Sequence, residues 1–176
     1  MPDTRFRLFA HPWRWYLLAA LLVWLDLVTK TWSKGLFEFG PAMQVIPDVL
    51  RFTYAENRGA AFSFLANAGG WQRWLFGAIA LGFSVFVIRW IWKLDAKLRW
   101  EPLALALILS GAVGNLYDRV VFGYVRDFIH VYYQAWNFSF PVFNVADIAI
   151  SIGAAMLVID LLFMADKDKK EGSAAV

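Results

Sequence analysis

Four apolar runs, each long enough to cross a bilayer, alternate along the chain with segments rich in charged, small and turn-forming residues. They cover residues 15–32, 71–92, 102–121 and 142–164, approximately. At about 1.5 Å rise per residue these helices are roughly 27–35 Å long, the thickness of a hydrocarbon core. Trp15, Trp32, Trp71 and Trp92 stand at the ends of runs, where indole rings settle at the membrane–water boundary. Between the spans, 33–70 and 122–141 are expected to face outward. Leu50, Phe52 and Tyr54 alternate with Arg51 and Thr53, and Phe37 and Phe39 flank Glu38 in the same way, the pattern of half-buried strands. Gly40-Pro41 and Pro47-Asp48 break that segment into short pieces. An apolar or interfacial stretch is expected around 60–65. The tail at 166–176 is charged, then small, and is expected to be flexible.

Composition narrows the class. The chain of 176 residues is 60% hydrophobic with a mean hydropathy of +0.51, a membrane protein's balance within a single domain. Its net charge of +3 comes from basic residues scattered between apolar runs, which carries topology information and no nucleic-acid footprint. Arg5, Arg7 and Arg14, then Arg89, Lys93, Lys97 and Arg99, then Lys167, Lys169 and Lys170 share one side, which puts both termini in the cytoplasm. The first run ends in L-D-L-V-T-K-T-W instead of a small-residue cleavage site, so it reads as a retained helix. Cysteine is absent, which excludes disulfides and thiol nucleophiles, and His11 and His130 are isolated. Neither a metal nor a cofactor is expected.

Polar residues in apolar company are the chemical signal, because a carboxylate at mid-membrane costs roughly 2.5–3.5 kcal/mol on insertion scales. Asp26 and Lys30 lie four apart on span one and predict a structural ion pair. Gly111, Asn115 and Asp118 share a face of span three, with Gly114 beside them. They predict close helix approach and a polar contact between helices, Asp118 being paired with Arg119 or another cation. Asn144, Asp147 and Ser151 form one polar stripe on span four. Asp127 alone reads as an ordinary loop acid. With Asp147 expected at the same membrane face, the two read as a candidate catalytic pair. Asn57 and Gly59, in E-N-R-G-A-A-F-S-F, read on their own as a turn.

These pieces together resemble the lipoprotein signal peptidase family, signal peptidase II. The resemblance runs from D-L-V-T-K through N-R-G-A-A-F-S-F and G-N-L-Y-D-R-V-V-F-G-Y-V-R-D-F-I to F-N-V-A-D-I-A-I-S-I-G, four motifs in the expected order over nearly the whole chain. It implies an aspartic endopeptidase of the bacterial inner membrane. The expected fold is an all-α membrane protein with four transmembrane helices and a small extracytoplasmic sheet, the β-cradle, between spans one and two. Asp127 and Asp147 are implied as the catalytic dyad. Asn57, Gly59, Asn115, Asp118, Arg119 and Asn144 are implied to line or brace the site, and Asp26 and Lys30 to support it without chemistry. The implied substrate is a prolipoprotein bearing a diacylglyceryl cysteine, cut just before that cysteine. Membrane lipids are the other expected partner, with no nucleic acid, and a monomer is expected. Against this stand a Ser–Lys dyad of Lys30 and Ser33, a small transporter or proton conduit using Asp26, Lys30, Asp118 and Asp147, and a scaffold whose polar groups only hold helices together.

Overall fold

The structure, a computed structural model, describes residues 12–59 and 69–174, with side chains as far as 162. Four helices form the frame: α1 (Trp13–Phe37), α2 (Gln72–Lys93), α3 (Trp100–Val121) and α4 (Val145–Ala174). All four are long and apolar enough to cross a membrane. The helices overlap the four apolar runs, but their ends differ: α2 starts at Gln72 and α4 at Val145, after positions 71 and 142–144. Helix α1 continues past Trp32, so Phe37 is helical and not part of a strand. The Glu38 amide still donates to the Lys34 carbonyl at 3.2 Å, and the two side chains pair at 3.5 Å across one turn. Helix α4 extends past residue 164 through the charged segment to Ala174.

Helix α3 is the centre of the bundle. It packs against α1, α2 and α4 and is buried along one side from Pro102 to Asp118. Pro102 sits in its first turn, where a missing amide hydrogen breaks no helical bond. At one end of the bundle the core is wholly apolar: Ala19, Val87, Ile91, Leu105, Ala106 and Leu109 pack together. At the other end the small residues of α3 matter. A Cβ added to Gly111 would run into the Ala146 carbonyl, and one added to Gly114 would lie 2.5 Å from Asp26 Oδ2. Gly114→Ala is therefore expected to cost about 1–3 kcal/mol by overpacking. Thermal unfolding in detergent checks this, with Gly82→Ala, whose added Cβ meets nothing within 4 Å, as the variant that melts like the parent.

The sheet has four antiparallel strands in the order β1 (Met43–Ile46), β2 (Leu50–Asn57), β3 (Val125–Tyr133) and β4 (Phe138–Ser139). Expectation placed the sheet between spans one and two. Only β1 and β2 come from there, and β3 and β4 come from the connection between α3 and α4. The central β2–β3 ladder pairs Ala55 with Asp127 and Asn57 with Val125, which ties the α1–α2 and α3–α4 connections together. The β1–β2 hairpin turns at Pro47-Asp48, as the sequence suggested, with Asp48 in the left-handed region at φ 60. The stretch expected around 60–65 lies outside the described residues.

Candidate active site

Each polar residue of the site is positioned by the start or end of an element. Gly123, with φ of +84, lets the chain reverse at the end of α3 and enter β3. That reversal carries Arg126 and Asp127 back over the helix end. Asp127, the third residue of β3, is almost fully buried at 2% exposure. On the far side of β3, F-N-V-A-D begins α4 with a reciprocal cap. The Asp147 amide donates to Asn144 Oδ1 at 3.0 Å, and the Asn144 amide donates to Asp147 Oδ2 at 3.1 Å. This is the logic of a capping box, and it fixes the Asp147 carboxylate in the first turn.

Two amide side chains then connect the acids. Asn115 Nδ2 donates to Asp147 Oδ1 at 2.8 Å, and Asn144 Nδ2 donates to Asp127 Oδ1 at 2.6 Å and to Asn115 Oδ1 at 3.2 Å. Lys30 Nζ donates to the same Asn115 oxygen at 2.8 Å, which settles which end of that amide faces Asp147. Asn57 lies near enough to Asp127 to favour its ionised form, while its Oδ1 accepts the Gly59 amide at 3.0 Å. The Asn57–Gly59 turn read from the sequence is thus real, and the same side chain also reaches the acid.

Both acids line one cleft of about 700 Å³. Asn57, Asn115 and Arg119 share its polar end, and Phe76, Ile79, Phe83, Ile108, Ile148 and Ile152 give it apolar walls from α2, α3 and α4. Asp127 holds its proton to about pH 7. Burial is the main cause and the nearby Asp147 charge adds to it. The hydrogen bond from Asn144, the proximity of Asn57 and the charge of Lys30 work in the opposite direction.

Below the cleft lies a buried ionic network. Lys30 Nζ is 2.7 Å from Asp26 Oδ2 and 3.5 Å from Asp118 Oδ2. Asp26 Oδ1 accepts the Ala146 amide at 2.9 Å, so the α1 carboxylate also anchors the positive end of α4. The expected Asp26–Lys30 pair is present, though with more partners than its helical spacing suggested.

Asp118 pairs with a cation other than Arg119, the second of the two expected possibilities. Its carboxylate does not bind the adjacent Arg119, because neighbouring residues on a helix point in different directions. It binds Arg126, whose Nη2 lies 2.8 Å from Oδ1 and whose backbone amide donates to Oδ2 at 2.9 Å. Arg119 turns toward the cleft, donating to the carbonyls of Asn115 at 3.3 Å and Gly59 at 3.2 Å, with its guanidinium over Phe76. Arg126 was not singled out from the sequence. The available signal was Gly123, a reversal point between Asp118 and Arg126. Ser33 Oγ donates to the Lys30 carbonyl at 2.9 Å, while Lys30 Nζ is committed to two carboxylates and an amide oxygen. A Ser–Lys dyad has no support in this geometry. Among the described residues no group of three or more His, Asp or Glu side chains is arranged to hold a metal ion.

Similarity to known proteins covers nearly the whole chain. A family model described as signal peptidase (SPase) II matches residues 18–163. The lipoprotein signal peptidase of Pseudomonas fluorescens is 44% identical over 174 residues, 99% of this chain and 98% of that one. Its counterpart in Pseudomonas aeruginosa is 45% identical over 175 residues, 99% of both chains. A solved structure described as a bacterial membrane enzyme, obtained by the in meso method at 2.3 Å resolution, superposes with a TM-score of 0.79 at 29% identity. It covers 90% of this chain and 93% of its own.

Proposed function

Since the chain belongs to the signal peptidase II family and is a multi-pass bacterial membrane peptidase of lipoprotein signal peptides, we propose that Asp127 and Asp147 perform its chemistry as an aspartic pair. They hydrolyse the peptide bond just before a diacylglyceryl-modified cysteine. The observation that carries this reading is the convergence of two acids from β3 and α4 on one cleft, each held by an amide donor.

Two carboxyl groups facing one poorly solvated cleft do not both ionise easily, so the working pair holds one proton. The ionised member takes a proton from water, which attacks the scissile carbonyl. The protonated member donates to the carbonyl oxygen as charge builds there, and that proton then passes to the leaving amine. The titration belongs to the pair, so neither acid has a permanent role. Asn57 and Arg119, at the same end of the cleft, supply donors for the oxyanion and the peptide backbone. The apolar walls on α2, α3 and α4 accept the acyl chains, which keeps the lipid in hydrocarbon while the peptide bond reaches the acids. In this reading the termini are cytoplasmic, the cleft's polar end is at the outer face, lipids contact the cleft directly and one copy of the chain suffices.

A proton conduit through Asp26, Lys30, Asp118 and Asp147 gains no support, because the other end of the bundle is closed by the apolar cluster around Leu105 and Ile91. The test is cleavage of a purified diacylglyceryl precursor beside its unlipidated form. The lipidated precursor is expected to be cut immediately before its cysteine and the unlipidated one at least ~10²-fold more slowly, remote binding energy being spent on positioning. Equal rates on both substrates, or a cut elsewhere, overturn the assignment.

A further inference from the structure

We infer that Arg126 is a positioning residue of the acid pair, locking the start of β3 onto α3 and supplying the positive charge that balances the buried site. This rests on the aspartic-pair reading above. Arg126 stands immediately before Asp127, is 3% exposed, and takes no part in the lining of the cleft. Its guanidinium instead faces the helices. Nε lies 3.2 Å from both Asp118 oxygens, Nη2 donates to Oδ1, and Nη1 donates to Thr31 Oγ1 on α1 at 3.2 Å. Phe122 covers it, with its ring centre 4.4 Å from the guanidinium carbon. Together with its backbone amide on Asp118, this makes a fork that the planar guanidinium can form and a lysine cannot. The Arg126 carbonyl faces Asn144 Nδ2 at 3.5 Å, the same amide that holds Asp127.

The charges around the acids complete the argument. From α1 come Asp26 and Lys30, from α3 Asp118 and Arg119, from β3 Arg126 and Asp127, and from α4 Asp147. On β2, Glu56 sits opposite Arg126 in the ladder but turns its carboxylate to Arg58 at 2.9 Å. Three cations, Lys30, Arg119 and Arg126, therefore stand against Asp26, Asp118 and an acid pair carrying one negative charge. The site is neutral when the pair holds one proton, the state hydrolysis requires. Without Arg126, Asp118 is left to draw on Lys30, which now fixes the Asn115 amide under Asp147. The site then carries an excess negative charge and its amide donor is loosened.

The experiment is the pH dependence of kcat and KM for a lipidated precursor in Arg126→Gln, Arg126→Lys and Asp118→Asn/Arg126→Gln, with Asp127→Asn alongside. Arg126→Gln is expected to keep its KM, lose on the order of 10–10²-fold in kcat, and move the alkaline limb upward by roughly half a unit to one unit. Arg126→Lys keeps the charge and the original limb while kcat falls through the lost fork. Removing both charges of the Asp118–Arg126 pair returns the limb toward its original position. A merely structural arginine would lower active enzyme without moving the limb. An unmoved limb in Arg126→Gln, or an equal shift in Arg126→Lys, overturns the inference. If Arg126→Gln does not fold, an Arg126→Lys protein with unchanged kcat overturns it alone. Activity surviving in Asp127→Asn would overturn the aspartic pair itself, a separate outcome.

Discussion

Asp127→Asn and Asp147→Asn are each expected to reduce cleavage of a lipidated precursor by about 10³-fold or more while leaving a folded protein. The magnitude follows from removing one member of a unit that must both accept and donate a proton in the same transition state. Folding survives because the amide is nearly isosteric and each acid keeps a partner, Asn144 for Asp127 and Asn115 for Asp147. The stability of Asp127→Asn separates this account from a structural role. Asp127 keeps its proton to about pH 7 in the folded chain, whereas an exposed carboxyl ionises near 3.9. Between those values the unfolded state has released a proton that the folded state still binds, so stability falls as pH rises through the window. The Asn variant has no such loss. It is expected to melt higher than the parent at pH 8 and much like it at pH 4, measured by thermal unfolding in detergent. Lower melting at pH 8 together with lost activity would make Asp127 a structural acid.

Lys30→Met is expected to destabilise the protein by about 3–5 kcal/mol, the cost of stranding a buried charge whose partner is gone. Lys30 is fully buried and serves Asp26, Asp118 and Asn115 at once. Without it Asp26 keeps the Ala146 amide but no cation, and the Asn115 amide is free to turn away from Asp147. Activity is therefore lost with stability. The double variant Asp26→Asn/Lys30→Met is expected to recover much of the stability and little of the activity, because it removes the stranded charge without restoring the amide's orientation. Detergent unfolding of both proteins checks this. A single variant within about 1 kcal/mol of the parent would mean that the ammonium contributes little.

The helices were legible because their signal is additive over about twenty residues, and no single polar residue cancels it. Strand β2 was legible for a similar reason, since Leu50, Phe52 and Tyr54 keep one face apolar. Strand β3 was not. V-R-D-F-I-H buries consecutive residues on both faces, including Arg126 and Asp127, so period-two alternation is erased where the chain passes between the helix ends and β2. Part of the site could be read in the same way. Asn144 and Asp147 stood out three apart, although the cause is a helix cap and not a shared helix face. For Asp118 a cationic partner was legible but its identity was not, because Arg126 lies across the Gly123 reversal and the cation beside Asp118 in sequence points elsewhere. Local spacing reports contacts along an element, and the Asp118–Arg126 contact is made by a turn.

The central claim, a buried acid pair that works with one proton between its members, is tested most directly by kcat/KM for a lipidated precursor from pH 4 to pH 9. The account predicts a bell whose alkaline limb falls near pH 7, where the pair loses its shared proton. A rate that stays level or rises from pH 7 to pH 9 would contradict it.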